Sequence, residues 1–401
     1  MSTPPLWRAV LSGACATLIG IGLARFAYTP LLPAVVSAGW FDAEAANYLA
    51  AANLGGYLAG VLLAAPLAAR RSTVAALRGA MVASAVSLLA CAAPISFAWF
   101  FAWRFSSGVA GGIIMILAAP LILAHAPPAR RGLIGGFVFM GIGLGIAASG
   151  TLVPLLLREG LSQTWIGLGV TAALLTALAW RGWSTAPPAE ATPPARHHHR
   201  HRSTPSHGSA SRLWALHAEY ALNAVGLVPH MVFLAVFIAH GLNQGVDAAA
   251  FYWVMFGLGA LVGPLLFGHL ADRAGHGPAL RLMLLLEAIA VLAPALTTSP
   301  AALIPSSLFM GAATPGIVPL VLGRAHELAG PAVTAQRSAW RLATTGFAAA
   351  QAIAAYSLAY ALDVSHGAYA LVFTLGTAAL LLALLIDVVA DVTLRPRTPR
   401  A

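Results

Sequence analysis

The sequence predicts an all-α polytopic membrane protein: twelve spanning helices arranged as two related six-helix bundles. Three observations predict it. A window of about twenty residues rises above the membrane threshold twelve times, and each rise is long enough to cross ~30 Å of hydrocarbon as a helix. Only 8% of residues are charged against 59% hydrophobic, with mean hydropathy +0.83. A soluble domain carries roughly 25% charged residues, so this chain has no large surface meant for water. Finally, six rises precede one long polar stretch and six follow it, giving bundles at 1–181 and 213–401 around a linker at 182–212.

The first stretch, 9–36, holds GIGLARFAYTPLLPAV (20–35), with Arg25 near mid-depth at ~1.5 Å of rise per residue. Its length and its prolines, Pro30 and Pro33, separate it from a cleaved signal peptide. An ionisable side chain inside a span costs ~2.5–3.5 kcal/mol on insertion scales, so Arg25 is a candidate for lining a substrate cavity, against a structural pairing. Tyr28 follows on the same stretch, and the second, 44–69, offers Asn53 and Tyr57. Such groups hydrogen-bond a solute or glue helices together. The third stretch is 74–94. The fourth, 97–124, carries Arg104 before Gly108, Gly111 and Gly112 (RFSSGVAGG), about seven residues from the outer face, where snorkelling is the rival reading. The fifth, 130–157, is dense in glycine (Gly135, Gly136, Gly141, Gly143, Gly145, Gly150) and ends near Pro154, and the sixth is 162–181.

The linker contains APPAEATPPARHHHRHRSTPSHGSAS, a composition without periodicity that cannot bury a core and is expected to be flexible. His197, His198, His199, His201 and His207 would bind a transition metal adventitiously, which does not make metal the cargo.

The seventh stretch, 213–240, holds Glu219, Asn223 and His230. A carboxyl in apolar surroundings can take up and release a proton near neutral pH, so Glu219 is the favoured proton carrier, with a solvated helix-end acid as rival. His230 is a second proton candidate, against a packing histidine. The eighth is 248–271. The ninth, 279–297, contains Glu287, expected to be structural or lipid-facing. The tenth, 300–326, is kinkable through Gly311, Pro315, Gly316 and Pro319. The eleventh, 333–361, adds Gln351 and Tyr356 as hydrogen-bonding groups, and the twelfth is 366–390.

The net charge of +10 comes from 22 arginines and no lysine. With a cytoplasmic N-terminus, Arg25 and Arg104 lie in spans, Arg158 lies outside, and the remaining arginines fall at cytoplasmic ends or loops. That is the positive-inside distribution, and it places both termini in the cytoplasm. The basic balance is therefore topology and not nucleic-acid binding. Cys15 and Cys91 sit within spans, so no disulfide framework is implied. No phosphate loop or catalytic triad order stands out, and His326-Glu327 lacks the second histidine of a zinc-protease motif, since Gly330 occupies that position. We expect no enzyme activity, no cofactor and no resident metal. The arginine-rich, lysine-free composition suggests a bacterial genome rich in G and C.

An internal repeat is visible at a shift of about two hundred residues. NLGGYLAGVLLAAPLAARR (53–71) overlies MFGLGALVGPLLFGHLADR (255–273), and SGVAGGIIMILAAPLIL (107–123) overlies MGAATPGIVPLVLG (310–323). Duplicated halves of six spans are the plan of secondary transporters.

The most specific motif is GHLADRAG (268–275). Gly268 permits close helix approach, Asp272 and Arg273 can pair across a helix terminus, and Gly275 allows a tight turn. The motif resembles the signature gating loop of the major facilitator superfamily. Its first copy is degraded, with Arg70 and Arg71 where Asp272 and Arg273 stand in the second. RFSSGVAGG is similar to the superfamily's fourth-span motif, whose arginine is associated with proton coupling. The glycine-rich fifth span resembles the antiporter motif loosely, without its Gly-Pro pair. GIGLARFAYTPLLPAV resembles a bacterial YbfB/YjiJ-type branch.

The resemblance implies a major facilitator fold in the bacterial inner membrane, acting as a monomer on a small-molecule substrate. It implies a cavity built from spans one, four, seven and ten and a proton-motive driving force. The implied function is alternating-access transport, with efflux of a metabolite or drug ahead of proton-linked uptake of organic anions or a non-transporting sensor. The implied substrate contacts are Arg25, Tyr28, Asn53, Tyr57, Arg104, Asn223, His230 and Gln351. The implied proton-coupling residues are Glu219, His230 and Arg104.

Overall fold

The structure, a computed structural model, describes residues 5–183 and 207–394. The linker histidines 197–201 lie outside that range. The described residues form helices and no strands, and twelve helices are long and apolar enough to span a bilayer. Spans one to six are Leu6–Leu32, Tyr48–Arg70, Thr73–Ala90, Phe97–Leu123, Arg131–Leu157 and Leu161–Ala179. Spans seven to twelve are Ser209–Ala239, Ala248–Ala274, His276–Leu296, Pro300–Ala329, Val333–Leu362 and Tyr369–Thr393. The described chain begins and ends on one face of the molecule, called here the terminal face.

Side-chain oxygens begin several of these helices. Asp42 accepts from Ala45 N–H at 2.7 Å, Ser72 from Ala75 N–H at 3.0 Å, and Ser96 from Trp99 N–H at 3.1 Å, each satisfying a donor that the first helical turn leaves unpaired. Gly275, at φ 85°, turns the chain between spans eight and nine, a conformation that costs a side-chain-bearing residue more.

The packing order repeats between halves. Span one packs on four, five and six, span two on four, and span three on four and six. In the second half span seven packs on ten, eleven and twelve, span eight on ten, and span nine on ten and twelve. Glycines allow the closest of these approaches. A Cβ on Gly56 or Gly60 would strike the backbone of Phe105 or Val109, and one on Gly259 or Gly263 the backbone of Leu308 or Ala312. Without a hydrophobic drive between helices in lipid, such small-residue contacts carry the packing. Outward positions are apolar and exposed, among them Leu174, Leu178, Leu266, Ile353 and Val392. Such a surface suits acyl chains and would aggregate in water.

The two halves meet along spans five and eight, and again where spans two and four meet eleven. The glycine density of span five has two uses. Gly132, Gly136 and Gly143 face the backbone of span eight, while Gly141 and Gly145 face span one. Spans one and seven are each interrupted by π-helical turns, at Leu18–Phe26 and at Pro229–Phe233 and Phe237–Gly241. Wider turns of this kind weaken the regular backbone ladder and recur at functional sites.

Candidate functional site

Arg25 sits in the π-helical segment of span one and reaches across to the second half. Its Nη2 donates to Gln351 Oε1 on span eleven. Its guanidinium lies over the rings of Phe26 and Tyr57, at 5.4 and 5.6 Å from the centroids. Gln351 in turn directs Nε2 toward Met231 Sδ at 3.6 Å. Arg25 forms no ion pair with any carboxylate among the described residues.

Aromatic side chains of the second half extend this centre. Tyr220 packs on Phe347, with centroids 4.4 Å apart, and on Trp340 at 6.3 Å. Trp340, fully buried, donates its indole N–H to Met115 O of span four at 3.3 Å. Arg25 to Gln351 and Trp340 to Met115 are therefore two bonds that tie the halves together on either side of the aromatic cluster.

Arg104 lies beside this centre and is bonded within the first half, with its Nε unpartnered among the described residues. It is buried, donates from Nη1 to Ala24 O at 2.7 Å, and stands 4.3 Å from the centroid of the Tyr28 ring. The carbonyl it holds belongs to the π-helical turn of span one, where the regular ladder is loosened. Tyr28 donates its hydroxyl to Ala46 O at 2.9 Å. Asn53 donates to Ser107 Oγ at 2.8 Å and to Arg104 O at 3.3 Å. These three residues bind spans one, two and four to one another and hold the segment that carries Arg25.

Three residues expected in the cavity are placed elsewhere. Glu219, Asn223 and His230 form a stripe on span seven that faces spans nine, ten and twelve, inside the second bundle. Asn223 donates to Glu287 Oε2 at 2.6 Å, and His230 Nε2 lies 2.8 Å from Ser306 Oγ. The reason is helical register. Residues four and seven apart share a face, so 219, 223 and 230 point one way, while Tyr220 and Met231, each one residue further along and so turned by about 100°, reach the central cluster. Glu287, expected to be structural or lipid-facing, is completely buried in this stripe. Tyr356 goes the other way and is 57% exposed on the outer surface.

The gating-loop residues meet span five. Asp272 accepts from the N–H groups of Gly132 and Leu133, at 3.0 and 2.9 Å, and so caps the first turn of a helix in the opposite half. The partner of Asp272 is thus backbone on span five and not Arg273. Gly268 lies flush against Gly132. At the other seam of the same face, where Arg70 and Arg71 replace the first copy, spans two, four and eleven enclose a pocket of about 430 Å³ beside Arg337 and Arg341. The latch is one-sided.

Sequence reasoning missed Tyr220, Trp340, Phe347 and Met231 as walls of the central site. A signal was present on span eleven: Trp340, Phe347 and Gln351 stand seven and four residues apart and so share one helix face.

Solved transporters share this architecture. The proton:xylose symporter XylE bound to 6-bromo-6-deoxy-D-glucose superposes with a TM-score of 0.74 at 16% identity, covering 95% of this chain and 94% of its own. The human organic anion transporter MFSD10 (TETRAN) gives 0.73 at 17% identity, covering 96% and 100%. A bacterial homologue of the iron transporter ferroportin, in its outward-facing state, gives 0.68 at 14%, covering 97% and 100%. At these identities the likeness is one of fold. No curated protein matches the sequence. Residues 17–388 match the family model described as "Uncharacterised MFS-type transporter YbfB", and this multi-pass membrane protein belongs to that family of the major facilitator superfamily.

Proposed function

We propose that the chain moves a small solute across the bacterial inner membrane by alternating access, acting as a monomer driven by protons, with Arg25 and Gln351 as the solute-contacting pair. One observation carries the reading: the Arg25–Gln351 bond joins span one to span eleven at an aromatic-walled centre. A solute that replaces this bond touches both halves at once, so its binding energy differs between states in which the halves are tilted differently. Only such differential binding shifts a conformational equilibrium.

Export of a metabolite or drug is the direction we favour, on the antiporter-like glycine density of span five. Uptake of organic anions is the second reading, and Arg25 supports it, since a guanidinium without a carboxylate partner among the described residues suits an anionic group. The terminal face is cytoplasmic in this proposal, on the distribution of arginines.

The test is proton flux in proteoliposomes carrying an internal pH dye, challenged with panels of organic anions, amino acids and cationic drugs. Flux with one panel, lost in Arg25→Ala and Gln351→Ala, supports the site and names the solute class. Flux that survives both substitutions removes these residues from the solute path. Direction is read from whether cells lacking the protein gain or lose the solute.

A further inference from the structure

The second bundle contains a carboxyl that packing alone does not require. Glu287 of span nine is fully buried, as is Asn223 of span seven, and Asn223 Nδ2 donates to Glu287 Oε2 at 2.6 Å. Two atoms of this pair, Glu287 Oε1 and Asn223 Oδ1, have no hydrogen-bond partner among the described residues. The pair is one hydrogen short. As a carboxylate, Glu287 offers acceptors only and leaves Asn223 Oδ1 without a donor. As a neutral acid it offers one O–H, which is what that amide oxygen needs. Buried polar groups find partners in nearly all cases, so two orphan acceptors on bonded residues point to a hydrogen carried by the carboxyl.

The charged groups around the pair are engaged elsewhere. On span nine, Arg281 pairs with Asp387 and Asp391 of span twelve, and Arg212 of span seven also pairs with Asp391 at 2.8 Å. Arg324 of span ten and His276 of span nine both bind Glu327. His230 of span seven meets Ser306 through Nε2, 2.8 Å away, and its Nδ1 is unpartnered among the described residues. A buried carboxylate without a cation of its own costs several kcal/mol as an ion. Uptake of a proton removes that cost without any movement of the backbone.

Two further residues give the pair a supply and an output. Glu219 lies one helical turn nearer the terminal face, buried, with Oε2 unpartnered, and the Arg212, Arg281, Arg324 and Asp387 charges act on it. Tyr220, its neighbour, has an unpartnered buried hydroxyl within the electrostatic reach of Glu287 on one side and of Arg25 and Tyr57 on the other.

The geometry points to Glu287, clasped by Asn223 inside the second bundle, as the group that carries the transported proton, loaded from the terminal face through Glu219 and communicating with Arg25 through Tyr220. The step is two proton transfers: hydronium at that face gives a proton to the Glu219 carboxylate and leaves water, and the Glu219 O–H then breaks as an O–H forms on the Glu287 carboxylate, which returns Glu219 to its carboxylate. The inference rests on proton-driven transport as proposed above, and it moves the proton site out of the cavity wall.

Infrared spectroscopy of the purified full-length protein in nanodiscs, without added solute, tests it. The wild type should show a carbonyl band of a neutral carboxyl that fades as pH rises and shifts in heavy water. Glu287→Gln should lose that band entirely, and Glu219→Gln should keep it. A band lost in Glu219→Gln and kept in Glu287→Gln would transfer the proton to Glu219. Absence of any titrating carboxyl band in the wild type would overturn the assignment. Should Glu287→Gln fail to fold, Asn223→Leu must move the band to higher frequency, and an unmoved band refutes the clasp. Because no solute is present, failure of the transport reading leaves these results intact. Failure of the proton assignment likewise leaves the Arg25 flux assay unaffected.

Discussion

Removing the Asp272 carboxylate should loosen the terminal face of the five–eight seam. Asp272 caps two N–H groups of span five from the opposite half, at 3.0 and 2.9 Å. Loss of an N-cap costs about 1 kcal/mol, and loss of a negative charge at a helix N-terminus removes a further ~0.3–1 kcal/mol. The carboxylate is exposed at a water-facing end, which sets the sum at ~1–2 kcal/mol. That energy is held only while the seam is closed, so Asp272→Ala should raise the ratio of open to closed seams by a factor of about 5–30. Spin labels on cysteines at Arg130 and Ala274, both exposed beside the latch, read this as growth of a long-distance population in pulsed dipolar spectra. A second perturbation acts on the same contact from the other side. A Cβ on Gly132 would lie 2.5 Å from Asp272 Oδ1 and 2.5 Å from Gly268 O, so Gly132→Ala must push the carboxylate off and shift the distances the same way. Unchanged distance distributions in both variants would refute the latch.

Further outcomes follow from other parts of the structure. Arg25→Lys keeps the charge but loses the planar fork that reaches Gln351, and should reduce transport in the proteoliposome assay at least tenfold while leaving expression and melting temperature unchanged. Arg281→Gln removes the cation shared by Asp387 and Asp391. With the side chain 26% exposed, a loss of ~1–3 kcal/mol and a lower melting temperature in detergent are expected, and an unchanged temperature would show the network to be solvated. Gly60→Val and Gly263→Val each drive a side chain into backbone of the partner helix, and both should abolish recovery of monodisperse protein. Leu174→Ala, on the exposed face of span six, is the control and should melt like the wild type.

The correspondence between sequence and structure is close where the bilayer dictates the answer and poor where register does. A span in hydrocarbon must satisfy its own backbone, so runs of apolar residues report helices almost directly, and twelve were expected and twelve are found. Arg25 was legible as an anomaly because a cation in a span is expensive. Its partner Gln351 was legible only as one hydrogen-bonding residue among several. Glu219 and Glu287 show the limit. Both were visible as carboxyls in spans, but which way they point depends on the rotation of spans seven and nine about their axes, and the apolar surroundings of such helices leave no strong amphipathic pattern to read it from.

Sequence by itself determined the number of spans, their order, the duplication of the halves and the chemical oddities inside them, because insertion into lipid is priced residue by residue along one helix. Only the tertiary structure decided that Asp272 caps span five, that Arg104 serves the π-helical turn of span one, and that Glu287 faces Asn223. Those contacts join residues 139–140, 80 and 64 positions apart in the chain. They are fixed by close packing of small residues between helices, whose energy depends on the shapes of two surfaces at once and not on the composition of either.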